Sequence, residues 1–542
     1  MKKTASFPAA AVVAATIAAT PVHAQEVTDH VRSLVRQALQ QAGQDPSAPA
    51  VTAAPTAPQG PVVDLTVDEA VARALERNLD IRVERLNPRL QDFSIAALEA
   101  NYRPTLTSVF ANGESVTLPT SQLTGAARLQ TETVRYDGGV AQNMKWGGGS
   151  YQIGFQNRRT DSSNLFATRN PSYTTSLNFA FVQPLLRGFK IDNTRAQLRI
   201  TALEREISEV GVQTRLTNTL ASVRNAYWDL LYAIRATEVA RRSLELSSKL
   251  VEDNRMRVEI GTLAPIDIVQ AQAEEANRRQ AVAAAEATRQ TAELTLKRLI
   301  VSGTDDPLWT STINPVDQPA IVNNPINLEG AVARALGART DVLTARKELE
   351  QTDVTLQSLV NQTLPALDLQ ASYGLAGLGG TQFERQGLGG AVSRTISGGY
   401  IDALRNITGL DAPSWNLQLN LSYPIGATAA EANHARAKLQ RQQTEAQLKA
   451  LELTVATEVT NAALTVQSSQ ERLQAATVAR ELAEKRLEAE QSKFEVGMST
   501  NFQVVQAQRD LRDALNIELQ AILNYKRALV DFERVQTVAI TR

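Results

Sequence analysis

The sequence predicts an α+β membrane protein built from two internal repeats, in which amphipathic β-strands lead into helices of unusual length. Three observations carry this prediction. Blocks of sequence recur in the same order, the strand candidates alternate with a strict period of two, and two long stretches are nearly free of glycine and proline.

The chain has 542 residues, 43% hydrophobic and 21% charged, with a net charge of −1, no cysteine and three histidines. Without cysteine there is no disulfide framework, thiol nucleophile or Cys-ligated metal site. Balanced charge argues against a nucleic-acid partner. His30 and His434, left after the leader described below, are too far apart to make a metal pattern. Carboxylates fall among Arg and Lys on helical faces, as on a solvated coiled coil. Gly147-Gly148-Gly149 lacks the Lys-Ser/Thr and helix of a phosphate loop, so it reads as a turn. No catalytic constellation or cofactor site emerges. Past the leader no apolar run reaches the roughly 18–20 residues of a spanning helix. A membrane-spanning form must therefore be a β-barrel.

Residues 1–24 read as a signal peptide: Lys2 and Lys3, an apolar run from Ala9 to Ala19, and Val22-His23-Ala24 before Gln25. Residues 25–61 read as a short helix followed by a Pro/Ala-rich linker. Repeat one is 62–303, a linker is 304–325 and repeat two is 326–542. Ala70 to Leu75 (AVARAL) recurs at Ala331 to Leu336, Leu177-x-Phe179-x-Phe181-x-x-Pro184 matches Leu417-x-Leu419-x-Leu421-x-x-Pro424, and Val269-Gln-Ala-Gln matches Val505-Gln-Ala-Gln.

Each repeat reads alike. Thr66 or Asn327 caps a helix that runs on to Pro104 or Pro365, with a kink expected at Pro88. Strands follow, with Leu367, Leu369, Ala371 and Tyr373 on one face and Asp368, Gln370 and Ser372 on the other. The return strand sets Leu417, Leu419, Leu421 and Tyr423 against Gln418, Asn420 and Ser422. Then come the helices from Gly188 to Gly261 and Gly426 to Gly497. In the first, Leu216, Leu220, Val223, Tyr227, Leu230 and Ile234 follow coiled-coil spacing. About 70 residues make a helix of roughly 105 Å. Return helices are expected over 264–300 and 500–536.

Four main strands per chain cannot close a barrel, so oligomerisation must close it; three chains give twelve strands, and two give a barrel that side chains fill. Residues 112–172 hold an extra hairpin, Val134–Trp146 and Tyr151–Phe155, that either lengthens the wall or rises above it as an extracellular feature, the latter preferred. A short helix over 401–410 is expected to be extracellular too.

The chain resembles the TolC-like outer-membrane efflux proteins, or outer membrane factors, over about 62–540. The resemblance is carried by the paired Ala-x-x-x-Ala-Leu helix starts, Gln183-Pro184-Leu185-Leu186-Arg187-Gly188, Ser422-Tyr423-Pro424-Ile425-Gly426, and the Gly261 and Gly497 hairpins before Val-Gln-Ala-Gln. It implies a homotrimer: a twelve-stranded outer-membrane β-barrel continuous with a coiled-coil periplasmic tunnel. It also implies a Gram-negative outer-membrane location, a periplasmic adaptor and an inner-membrane transporter as partners, and passive conduction in efflux or type I secretion. Adaptor contact and gate fall at the tips, Val258–Asp267 and Phe494–Gln506, with Gly261, Thr262, Asp267, Phe494, Gly497, Ser499, Gln503 and Gln506 as candidates. Where some members carry acidic rings, this chain has Gln503 and Gln506, which would narrow the aperture without a ring of charge. Pro104, Pro184, Gly188, Pro365, Pro424 and Gly426 mark the barrel–helix junction. Trp146, Tyr173, Tyr373, Trp415 and Tyr423 are membrane-interface aromatics. The rival from another class is a non-conducting periplasmic adaptor or structural coiled coil, which leaves the duplicated strands unexplained.

Overall fold

The computed structural model describes residues 61–118, 127–261, 264–318, 326–387, 390–426 and 428–536. The proposed signal peptide and N-terminal linker, up to residue 60, lie outside them. Repeat one comprises β1 (Val62–Leu65), α1 (Val67–Arg77), α2 (Leu79–Glu84), α3 (Asn87–Ala100), β2 (Thr105–Thr117), β3 (Leu129–Asn143), β4 (Ser150–Ser162), β5 (Arg169–Pro184), α4 (Asn193–Glu259) and α5 (Pro265–Ile300). Then come α6 (Pro307–Thr310) and β6 (Thr312–Pro315). Repeat two holds α7 (Leu328–Ala338), α8 (Thr340–Gln362), β7 (Ala366–Arg385), β8 (Val392–Ile396), α9 (Tyr400–Thr408), β9 (Pro413–Ser422), α10 (Ala429–Glu495) and α11 (Asn501–Gln536).

Both long helices have 67 residues, about 100 Å at 1.5 Å per residue. Side-chain caps fix their starts: Asp192 accepts from Arg195 N at α4, and Thr428 and Glu431 form a reciprocal box at α10. Thr66 and Asn327 cap α1 and α7 as expected. At Pro88 the helix stops and restarts rather than bending: α2 ends at Glu84, and the proline sits in the first turn of α3, where its missing N–H costs nothing.

The main sheet is antiparallel, in the order β2-β3-β4-β5-β7-β9, with β8 pairing the far end of β7. Here the structure departs from the four-strand expectation. β3 and β4 pair with each other and with β2 and β5 along nearly their full lengths, from Thr105↔Ala141 to Thr117↔Leu129 and from Ser150↔Val182 to Thr160↔Ser172. Each chain therefore contributes six long strands, and twelve strands for three chains no longer follows. The extra hairpin is an integral part of the sheet and does not project from its end.

Register puts the alternation on common faces. Leu106, Val140, Ile153, Phe179, Tyr373 and Trp415 share one, and Gln152, Asn178 and Asn416 share the other with Asp137 and Arg135, which form an ion pair. The helix expected over 401–410 is present as α9. It lies against the apolar face: a Cβ on Gly377 would meet Ala403 O, Tyr400 packs edge-on against Tyr136, and the Tyr400 hydroxyl donates to Asn157 Oδ1 at 2.9 Å.

The stretch 304–325, expected to be a linker, carries α6 and β6. β6 pairs in parallel with β1, Val62↔Thr312 to Leu65↔Pro315. Leu65 and Ile313 join Leu220, Val223, Tyr227, Leu230, Leu296 and Ile300 in the largest buried cluster. Within it the Tyr227 hydroxyl donates to Asp317 Oδ2 at 2.6 Å and lies 2.9 Å from Leu65 O, which accepts from Val316 N at 3.2 Å, while Val67 N donates to the same carboxylate oxygen at 2.7 Å. Burial and this carboxylate push the Tyr227 phenol well above its ordinary range. Tyr227→Phe removes a buried hydrogen bond to a carboxylate while Asp317 keeps Val67 N and Leu65 O keeps Val316 N, at a cost of about 1.5–3 kcal/mol. We expect a lower thermal midpoint by circular dichroism with the helix content of the folded state unchanged.

Candidate functional site

The far ends of the long helices form two hairpin tips. Gly261 and Gly497 sit at φ +77 and +78, the left-handed conformation that only glycine adopts without strain. At the second tip Gly497 N donates to Phe494 O at 3.2 Å and Met498 N to Lys493 O at 2.8 Å, a Schellman stop. At the first, Gly261 N donates to Val258 O at 3.0 Å; Thr262 lies outside the described residues.

The two tips are held together by side chains. Phe494 is buried with Leu250 and Val504, and the Arg257 guanidinium lies 4.3 Å from the centre of its ring. Asn254 and Asn501, both buried, meet at 3.2 Å. Below them Glu274 takes Arg278 of its own helix and Arg509 of α11, the latter at 2.5 Å. This buried cluster, with arginines on both sides of one carboxylate, was not singled out from the sequence; a Glu274-x-x-x-Arg278 pair inside a helix is too common a pattern to stand out.

Gln503 is engaged with the start of its own helix. Its Oε1 accepts from Thr500 N at 3.1 Å and from Ser499 Oγ at 2.8 Å, and Gln503 N donates back to Thr500 Oγ1 at 3.4 Å, which is a reciprocal cap on α11. Gln506 Nε2 donates to Asp510 Oδ1 at 2.8 Å, whose other oxygen accepts from Arg486 at 2.8 Å. An acid therefore stands one turn beyond Gln506, already paired with an arginine. Asp267 occupies the first turn of α5, where a carboxylate suits the helix dipole; no bond from its side chain to the second tip occurs among the described residues.

At the other end of the helices, Pro104 and Pro365 immediately precede β2 and β7, and Pro184 closes β5. Gly188 and Gly426 take φ +86 and +102. Leu185 N donates to Leu367 O at 2.8 Å and Gly188 N to Asn361 Oδ1 at 2.6 Å, so the exit of the first repeat is stitched to the entry of the second. The Gly147–Gly149 turn of the β3–β4 pair docks here: Gln183 Nε2 donates to Gly147 O at 2.8 Å, and Arg195 bonds Gly188 O, Phe189 O at 2.9 Å and Lys145 O at 3.4 Å. Trp146 packs edge-on against Phe189 at 6.0 Å yet remains 73% exposed. Of the other aromatics, Tyr373 and Trp415 are direct partners across β7 and β9, Tyr423 is exposed just past β9, and Tyr173 lies under α9 beside Tyr400, so that the helix shields its ring.

The outer membrane efflux protein family model matches residues 148–301 and 331–535, more than half of the chain and falling in both repeats. The chain belongs to the outer membrane efflux protein family. It is therefore an outer-membrane exit duct of efflux systems, a channel and not an enzyme. The fold agrees with solved outer-membrane channels. The Campylobacter jejuni CmeC channel superposes with a TM-score of 0.61 at 14% identity, covering 87% of this chain and 85% of that one. The Vibrio cholerae protein VceC gives 0.60 at 15%, covering 87% and 96%. The open state of the Neisseria gonorrhoeae MtrE channel gives 0.58 at 18%, covering 88% and 90%. A search of curated proteins finds no match.

Two outcomes test this geometry. A Cβ on Gly148, at φ +66, would fall 2.6 Å from Gly188 O. Gly148→Ala adds left-handed strain of about 1–2 kcal/mol to that clash, and should lower the thermal midpoint while the tips keep their native protection from proteolysis. At the second tip, hydrogen bonds from Lys493 and Ser499 hold the part-buried Glu490 carboxyl below its ordinary value of 4.5. A carboxyl depressed in this way ties the tip at neutral pH and releases it as pH falls below 4.5. Hydrogen exchange at 497–500, corrected for intrinsic rates, should speed up in that range, and Glu490→Gln should remove the pH dependence.

Proposed function

We propose that three copies of this chain close into one barrel-and-tunnel duct in a Gram-negative outer membrane, reached by way of the signal peptide at 1–24. The tunnel docks at its tips on a periplasmic adaptor and so receives substrates from an inner-membrane transporter. The observation that carries this reading is the pair of free sheet edges. Every residue of β2 is exposed, as is all of β9 except Asn420, and both strands carry bare apolar side chains such as Leu106, Phe110, Trp415 and Leu419. Unpaired strand edges in lipid cost several kcal/mol per group. The β9 edge of one copy and the β2 edge of the next satisfy each other, and a ring of three satisfies all of them.

The helical edges support the same closure. Leu86, Leu90 and Phe93 on α2–α3, and Leu439, Leu453, Leu464 and Leu482 on α10, are exposed in the single chain. These belong to opposite margins of the helical layer, where neighbouring copies would cover them. Gly261, Phe494, Gly497, Ser499, Gln503 and Gln506 then form the adaptor contact and gate, with the Asn254–Asn501 and Glu274–Arg509 links setting how far one hairpin can swing from the other.

The lack of cysteine gives a clean test. Single cysteines along β2 are paired with single cysteines along β9 and oxidised in outer-membrane fractions. We expect covalent species up to a closed trimer, resolved by denaturing electrophoresis, for in-register pairs only. A ladder that never leaves the monomer overturns the ring.

A further inference from the structure

The helical layer is four helices wide at both levels: α3, α4, α8 and α10 near the sheet, and α5, α4, α11 and α10 near the tips. At about 9–10 Å between axes, four helices cover about 38 Å of circumference. A strand spaced about 4.8 Å from its neighbour and tilted about 40° takes about 6.3 Å. Four strands then cover about 25 Å, whereas six cover about 38 Å. The β3–β4 pair thus makes the sheet as wide as the helices beneath it.

We propose that this pair turns the exit into an eighteen-stranded barrel whose bore equals that of the tunnel, so that the outer-membrane segment places no size limit on hydrated solutes and the limit falls to the tips. The proposal rests on the trimeric reading above. At equal tilt, eighteen strands give a mean backbone radius of about 18 Å against about 12 Å for twelve, and about twice the enclosed area.

Four observations bear on it. The pairing of β3 and β4 with their neighbours is continuous along the wall. Their turn is bonded to the β5–α4 junction through Gln183 and Arg195, so both strands end where the tunnel begins. Their faces alternate as a lipid-and-water wall requires, with Val140 and Ile153 on the apolar side and Gln152 and Gln156 on the polar side. Finally, α9 packs on the apolar face, and so leaves the polar face clear of it.

The test is cysteine labelling of the full-length protein in intact outer membranes, using membrane-impermeant thiol reagents of graded diameter added from outside. Gln152→Cys should label and Ile153→Cys should not; equal labelling of both overturns the wall placement. Asn178→Cys on β5 should react with reagents about 20 Å wide. Removing 129–162, which joins the loops at the ends of β2 and β5, should slow that reaction at least tenfold and leave small reagents unaffected. No size dependence in that variant overturns the proposal. If the shortened chain does not assemble, the barrel radius of the wild-type trimer in electron-microscopic class averages decides, about 18 Å supporting and about 12 Å refuting. The edge cross-links report the trimer separately: if they fail, the ring falls; if they hold while the labelling pattern fails, only the widened exit falls.

Discussion

An unpaired strand edge in lipid is the constraint on which this molecule depends. The sheet ends in two bare strands, β2 and β9, and hydrocarbon offers their N–H and C=O groups nothing. In the ring proposed above, closure comes from other copies, and the rest of the chain suits that requirement. The helices that continue from the strands are set side by side in a layer with apolar residues left on its margins, and β2 and β9 leave the sheet with a starting and a finishing edge. The largest hydrophobic cluster among the described residues lies where β1, β6, α1, the middle of α4 and the end of α5 meet, and smaller ones join α7, α8, α10 and α11. Elsewhere the helices are held by thin apolar seams and by cross-helix ion pairs such as Arg441–Asp353 and Arg527–Asp229. Exposed pairs of that kind contribute little each, so the layer relies on its length and on its neighbours.

Much of this was legible in the residues. The two glycine- and proline-poor stretches gave the 67-residue helices nearly to the residue, because helix propensity summed over such lengths leaves little competition. Thr66, Asn327, Gly261 and Gly497 marked element ends because capping and left-handed turns are local chemistry. What the sequence hid was non-local. The Gly147–Gly149 turn reads as a turn wherever it lies; only Gln183 and Arg195, 36 and 50 residues away from their partners Gly147 and Lys145, place it at the β5–α4 junction and β3–β4 within the sheet. The four-residue strand β6 had no visible pattern because its partner is 250 residues earlier. Thr500-x-x-Gln503, by contrast, is a capping box in plain sight, because its two partners lie only three residues apart.

The tips show how one backbone solution can carry two chemistries. Both stop at a left-handed glycine after a helix of the same length, yet the second tip adds the Glu490–Ser499–Gln503 chain and the buried Phe494, while the first begins its return helix with Pro265 and Asp267. The two hairpins of one chain therefore offer different surfaces, one stiffened by side-chain bonds and one plain.

The parallel pairing of β1 with β6 also constrains how the protein is made. A chain delivered from its N-terminus exposes Val62–Leu65 first, and the partner strand at Thr312–Pro315 emerges only after the whole of the first repeat. Until then Tyr227 lacks the Asp317 carboxylate, and the central band of α4 lacks its cover. Contacts of such sequence separation are slow to form. The buried cluster around Tyr227 can therefore be completed only after residues 312–317 have followed everything that precedes them, so one short strand, rather than either long helix, sets when that band closes.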